Sequence, residues 1–137
     1  MDIRILDDRL HATPQITLSD VAEAAARGYG AIVSNRPDSE EPGQPSADQM
    51  RQAAEAAGLA FRHIPVRPGA LSEVEADAMR AALDELPGPV LGFCRTGTRT
   101  TYLWALAVAG SRPADEIVAA ASAAGYDVTP LRAYLGA

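Results

Sequence analysis

Residues 88–107 read GPVLGFCRTGTRTTYLWALA. An apolar run, Pro89 to Phe93, leads into Cys94, the only cysteine of the chain, and a second apolar run begins at Thr100. Pro-Val-Leu-Gly-Phe has strand length and no polar break, the pattern of a strand buried on both faces in a parallel sheet. The stretch from Thr100 to Gly110 is apolar around most of its circumference, which predicts a buried helix rather than a surface one. Arg95 to Arg99 therefore connects a buried strand to a buried helix. Gly97 lets the backbone turn there so that successive amides face inward, and a concave row of N–H groups at a helix N-terminus binds an anion.

Outward from this segment the same alternation repeats. Ile3 to Leu6 and Leu10 to Ala12 alternate enough to predict one or two short strands. TLSDVAEAAARG follows, with Thr17 or Ser19 as the cap of an alanine-rich helix and Gly28 as its left-handed stop. Ala31 to Ser34 is a strand, and RPDSEEPGQPS, residues 36–46, is a loop rich in proline, glycine and acids. Ser46 caps a second helix ending at Gly58. LAFRHIPV, residues 59–66, is the next strand, and Ser72 with Glu75 predicts a capping box for a helix running to about Leu86. Pro113 opens a further helix, and TPLRAYLGA starts a short last one. Strands alternating with helices in units of about thirty residues predict one α/β domain over residues 1–137, with a mostly parallel central sheet flanked by helices. Ligands of such sheets sit beyond the carboxyl ends of the strands, which is where Cys94 falls.

Composition narrows the chemistry. At 47% hydrophobic and 22% charged residues the chain is ordinary for a globular domain, and no apolar run approaches a membrane span. The net charge of −6 argues against a nucleic-acid partner, since nothing broad would neutralise phosphates. All twelve basic residues are arginines. Schiff-base catalysis and a lysine-bearing phosphate loop are thereby excluded, and any anion site must use guanidinium groups and backbone amides. One cysteine and two distant histidines give no metal-ligand spacing, so neither metal nor other cofactor is expected. The charged start MDIRILDDRL lacks the pattern of a secretory signal, so a cytoplasmic setting with a free thiol is expected.

These features make Cys94 the candidate nucleophile. Helix N-termini and neighbouring arginines favour the thiolate form of a cysteine. Arg99 offers a planar, bidentate fork to an oxyanion. Arg95, Thr96, Gly97, Thr98 and Thr100 complete the anion-binding connection, with the Thr98 and Thr100 hydroxyls expected to donate to the sulfur or to a leaving group. Asp38, in the loop after another strand, is either the candidate acid or the cap of a turn in RPDS, and Arg36 is either a second anion clamp or the partner of Glu40 or Glu41 in a surface salt bridge. His63, before Ile-Pro, is expected to be a packed residue rather than a base.

Cys94 to Arg99, Cys-x-x-Gly-x-Arg, resembles the active loop of the rhodanese-type sulfurtransferases. It is one residue shorter than the Cys-x5-Arg loop of the protein tyrosine and dual-specificity phosphatases. Together NRPDSEEPGQPS at 35–46, HIPVRPG at 63–69 and GPVLGFCRTGTRTTYLWALA resemble the phosphatase-like domain of beta-lactamase hydrolase-like proteins. That resemblance implies a cysteine-phosphatase-like fold with a loop of sulfurtransferase length, linked by fusion or gene neighbourhood to a metallo-beta-lactamase-like, persulfide-oxidising enzyme. It also implies two enzymatic readings and a third that is not. In dual-specificity phosphatases an acidic residue would follow the strand ending Ile-Pro-Val, but Arg67 and Pro68 stand there, and Phe93 replaces the histidine before the nucleophile. Both departures favour transfer of sulfane sulfur from thiosulfate or a persulfide through a Cys94 persulfide. The alternative is phosphate ester hydrolysis through a phosphocysteine at Cys94, and the non-catalytic option is a domain that senses sulfide or an anion for a companion enzyme.

Overall fold

The strand that carries Cys94 lies in the middle of the sheet. In the computed structural model, which describes residues 1–136, Val90–Phe93 is buried along its whole length. In chain order the elements are β1 (Arg4–Ile5), β2 (Leu10–Thr13), α1 (Leu18–Ala26), β3 (Ala31–Ser34), α2 (Ala47–Ala56), β4 (Ala60–His63), α3 (Glu73–Glu85), β5 (Val90–Phe93), α4 (Thr98–Val108) and α5 (Ala114–Ala123). A 3₁₀ turn, Thr129–Tyr134, follows where a last short helix was expected. The strands lie in the order β1-β2-β5-β3-β4, all parallel except β1, which pairs antiparallel with β2. The predicted α/β class with a mostly parallel sheet is therefore the observed one.

Alternation along β3 and β5 divides the core. Ala31, Val33 and Val90 face a large cluster with α3, α4 and α5, including Trp104, Leu103 and Ile117. Ile32, Leu91 and Phe93 face the opposite cluster with α1 and α2, including Val21, Met50 and Ala54. This two-sided burial is what makes the strands continuously apolar. Gly92 has a packing reason: a Cβ there would come within 2.7 Å of Thr100 Cγ2, so its absence lets α4 lie close against β5.

Local signals account for most element ends. Thr17 and Ser46 both form complete capping boxes. Ser72 does not: its hydroxyl donates to the Glu75 carboxylate, and no side chain caps α3. The strand expected over 59–66 is assigned only to Ala60–His63, but Ile64 N–H still donates to Ser34 O at 2.8 Å and Val66 N–H to Asn35 O at 3.0 Å. Those two bonds hold the 64–66 segment beside the end of β3, which matters for the site. No helix among the described residues is long and apolar enough to cross a membrane.

Candidate active site

β5 ends at Phe93, and the chain turns through Cys94–Gly97 into α4. Its position between β2 and β3 puts the turn at the carboxyl edge of a parallel sheet, where the strand order switches direction and a crevice opens. Gly97 is the N-cap of α4 in the left-handed region, φ 89°, a conformation that costs glycine little and other residues more. Cys94 is fully buried, and its Sγ accepts a hydrogen bond from Gly97 N–H at 3.1 Å.

Three carbonyls of the turn are engaged by other parts of the chain. Arg95 O accepts from Gln15 N–H at 3.2 Å, Thr96 O from Tyr126 Oη at 3.0 Å, and Gly97 O from Thr101 N–H at 3.0 Å and Thr101 Oγ1 at 2.8 Å. The C=O and N–H of a trans peptide point to opposite sides, so the bond on Thr96 O leaves the Gly97 N–H facing the sulfur. Of the row of inward amides expected around Gly97, the Gly97 N–H is the one bonded to the sulfur, while the Thr98 N–H lies 3.4 Å from Thr96 Oγ1.

Arg99, on the first turn of α4, points its fork across the mouth. Nη1 and Nη2 each donate to one oxygen of Glu40 at 2.8 Å, and Nη1 also donates to Val66 O at 2.7 Å. Its protonated form is favoured first by the Glu40 hydrogen bonds and, against burial, by the charge of the neighbouring Cys94 sulfur. Arg36 is almost wholly buried, with 2% of its side chain exposed. It donates from Nε to Glu40 Oε1 at 2.9 Å, from Nη1 to Gln15 Oε1 at 3.0 Å and from Nη2 to Glu41. Arg36 thus holds the wall of the mouth. A cleft of about 870 Å³ beside the turn is lined by Arg67, Arg95, Thr96, Thr98 and Tyr102 as well as this ion network, with Cys94 buried outside its lining.

The candidate acid is in a different place from the one expected. Asp38 Oδ1 accepts from Ala47 N–H at 2.8 Å at the start of α2, and the side chain lines a separate small cavity with His63 and Pro65. Ser39 adopts φ 63° between them, and beyond that reversal Glu40 reaches the arginines. Glu40 is the carboxylate of the mouth that pairs with Arg99, and the sequence offers it only as a salt-bridge partner of Arg36, because PDSEE holds three acids without a periodic pattern. Thr100 also departs from expectation: it is fully buried and donates to Asn35 Oδ1 at 2.8 Å, tying α4 to β3 instead of facing the sulfur. Thr98 Oγ1 accepts from Thr96 Oγ1 at 3.0 Å at the rim. His63 Nε2 lies 2.8 Å from Arg36 O, a contact that orders the 36–46 loop, and the histidine packs as expected.

Arg99 and then Arg36 hold the Glu40 carboxyl below its ordinary range, against the opposing effect of burial. An unfolded glutamate titrates at about 4.3. Ionised Glu40 therefore stabilises the folded chain at pH above that value, and the contribution disappears as pH falls through it toward the depressed folded value. Glu40→Gln is expected to lower stability at pH 7 by about 1–3 kcal/mol, because two arginines lose a charged acceptor. Chemical denaturation should show the gap from wild type closing between about pH 5 and 3. An equal gap at pH 7 and pH 3 would contradict this role.

Residues 2–111 match the family described as beta-lactamase hydrolase-like protein, phosphatase-like domain. A beta-lactamase hydrolase-like protein of Xylella fastidiosa (strain Temecula1 / ATCC 700964) is 36% identical over 130 residues, 93% of this chain and 30% of that protein. The chain thus spans about a third of the length of the curated relatives it matches. Among solved structures, a phosphatase candidate of Neisseria meningitidis Z2491 superposes with a TM-score of 0.85 at 38% identity, covering 98% of this chain and 96% of the other. The active form of Tk-PTP superposes with a TM-score of 0.74 at 20% identity, covering 98% and 92%, a likeness of fold. Taken with the cysteine at the end of the central strand and the turn into α4, these matches show a cysteine-phosphatase-like fold, and the chain belongs to the phosphatase-like domain family of beta-lactamase hydrolase-like proteins.

Proposed function

We propose that the domain transfers sulfane sulfur through Cys94. The thiolate attacks the outer sulfur of thiosulfate, the S–S bond breaks, and sulfite leaves with the electron pair, so that Cys94–S⁻ and S₂O₃²⁻ become Cys94–S–S⁻ and SO₃²⁻. Attack by an acceptor nucleophile such as cyanide on the terminal sulfur then yields thiocyanate and restores the thiolate. No proton moves in either step. The acceptor in a cell is a thiol or comparable nucleophile, and a persulfide can replace thiosulfate as donor.

The observation that carries this reading is the state of the carboxylates in the mouth. Glu40 and Glu41 both pair with arginine, and Glu40 is held in its ionised form. Hydrolysis of an ordinary phosphate ester needs an acid to protonate the departing oxygen, whereas sulfite and persulfide thiolates leave without one. The short connection from Cys94 to Arg99 acts in the same direction, with a smaller ring of amides suited to a single sulfur atom. Proposed roles follow from placement: Cys94 as sulfur carrier, Arg99 as the fork for the donor's oxyanion, Gly97 N–H as donor to the bound sulfur. Arg95, Thr96 and Thr98 form the rim, and Arg36 orients Glu40.

The phosphatase reading is supported by the fold and by the likeness to the Neisseria phosphatase candidate. A substrate pair separates the two. p-Nitrophenolate leaves readily without protonation, so some hydrolysis of p-nitrophenyl phosphate fits either reading, but an alkyl phosphate monoester requires the acid. Thiocyanate formation from thiosulfate and cyanide is expected with saturable kinetics, accompanied by mass-spectrometric gain of one sulfur atom on Cys94, and no turnover of the alkyl phosphate. Fast alkyl phosphate hydrolysis without thiocyanate formation would establish the phosphatase reading instead. A persulfide-oxidising, metallo-beta-lactamase-like enzyme is the proposed companion, consistent with the longer relatives that contain this domain.

A further inference from the structure

We propose that Tyr126 is a positioning residue, whose hydroxyl holds the Thr96–Gly97 peptide with its N–H aimed at the Cys94 sulfur. Thr96 C=O and Gly97 N–H belong to one planar unit. At one edge of that unit Tyr126 Oη donates to Thr96 O at 3.0 Å; at the opposite edge Gly97 N–H donates to Cys94 Sγ at 3.1 Å. Neither bond can keep its geometry if the peptide rotates about the chain axis. A half-turn would point a carbonyl oxygen at the sulfur and reverse the sign of the dipole that the thiolate feels.

Glycine makes such a hold necessary. At φ 89° Gly97 has no Cβ to bias the preceding peptide, and glycine adopts backbone conformations of either sign of φ at similar cost. The neighbouring anchors do not depend on a distant side chain: Arg95 O is held by the Gln15 backbone and Gly97 O by Thr101, within the same helix. Thr96 O is the exception. Its donor comes from the exit of α5, where Tyr126 N–H donates to Ala121 O at 2.9 Å and fixes the residue. Contact is close: a Cβ on Gly97 would fall 2.1 Å from Tyr126 Oη. Burial first, and then the charge of the Cys94 sulfur, keep the phenol protonated beyond its ordinary range, while Arg4 acts weakly in the other direction. The neutral phenol is the form that donates to Thr96 O.

This inference rests on Cys94 reacting as a thiolate, and is independent of whether sulfur or a phosphoryl group is taken up. Tyr126→Phe removes one oxygen from a half-buried ring, and its melting temperature should stay within a few degrees of wild type. Alkylation of Cys94 by iodoacetamide at pH 6.5 should slow about five-fold, the equivalent of one hydrogen bond of about 1 kcal/mol, while the rates converge near pH 10. In proton–nitrogen spectra the Gly97 amide, shifted downfield by its bond to sulfur, should move upfield in the variant. Equal rates at pH 6.5 with an unmoved Gly97 resonance would overturn the proposal. So would a slowing of the same size at every pH, which would indicate altered access alone. A wild-type Cys94 that does not alkylate faster than free cysteine at pH 6.5 would instead count against the thiolate chemistry on which the functional reading stands.

Discussion

If the domain transfers sulfane sulfur as proposed, Cys94→Ser is expected to lower that activity at least about a thousand-fold and to leave the fold intact. Serine fits the site: its oxygen can accept from Gly97 N–H as the sulfur does at 3.1 Å, and it adds no volume to a fully buried position. What it lacks is a low-energy anion. An alkoxide is not formed at neutral pH without a base, and among the described residues the imidazole nearest in function, His63, is committed to Arg36 O at 2.8 Å. Oxygen is also a poor carrier for sulfane sulfur, because the S–O bond that would form has no persulfide-like thiolate to hand on. Thiocyanate production and the mass gain on residue 94 should disappear together, with unchanged thermal unfolding. Retention of a tenth of the wild-type rate would show that the sulfur passes directly from donor to acceptor and that Cys94 only lines the path.

The placement of that sulfur is readable from sequence for a definite physical reason. A buried parallel strand must be apolar on both faces, and a helix packed under the sheet must be apolar around most of its girth. VLGF and the run after Thr100 obey both rules, and the residues between them have few conformations available. Gly97 and Gly92 each answer to a requirement of that junction, one for a left-handed cap and one for the approach of α4. Family resemblance added the fold type, and the sheet order bears it out. Capping boxes at Thr17 and Ser46 were equally plain, since the pattern spans only three residues.

Where the reading missed, it lacked information about chain path. Asp38 and Glu40 are two residues apart in a loop without period, and a single left-handed residue, Ser39, decides which of them faces α2 and which the arginines. Thr100 was placed by its distance from Cys94 in the chain, but helical phase turns it toward Asn35. Ser72 has the spacing of a capping box, yet its hydroxyl bonds to the carboxylate it should have complemented. Tyr126 lies thirty residues from its partner Thr96, beyond the reach of any local pattern.

Arg99→Lys is expected to lower kcat/KM for thiosulfate by about a hundred-fold, with a modest effect on stability. Lysine keeps the positive charge but replaces a planar fork with one rotatable ammonium. The native guanidinium serves three acceptors at once, both oxygens of Glu40 and Val66 O, at 2.7–2.8 Å. That geometry orients it beside the sulfur before the donor arrives, so the orientation is established by folding and not at each turnover. The fork meets two oxygens of the Glu40 carboxylate at 2.8 Å, and in the proposed reaction two sulfonate oxygens of thiosulfate would take the same kind of contact. The donor must share or displace Glu40, and a lysine cannot bridge both. In the proposed reaction the arginine would bind the donor and also stabilise the charge that grows on departing sulfite, so KM should rise and kcat fall together. Glu40→Gln supplies the contrast, because it frees the fork without removing it and should weaken donor binding less than Arg99→Lys does. If Arg99→Lys stays within two-fold of wild type in kcat/KM while losing stability, the guanidinium serves Glu40 alone and the oxyanion is held by the turn's amides.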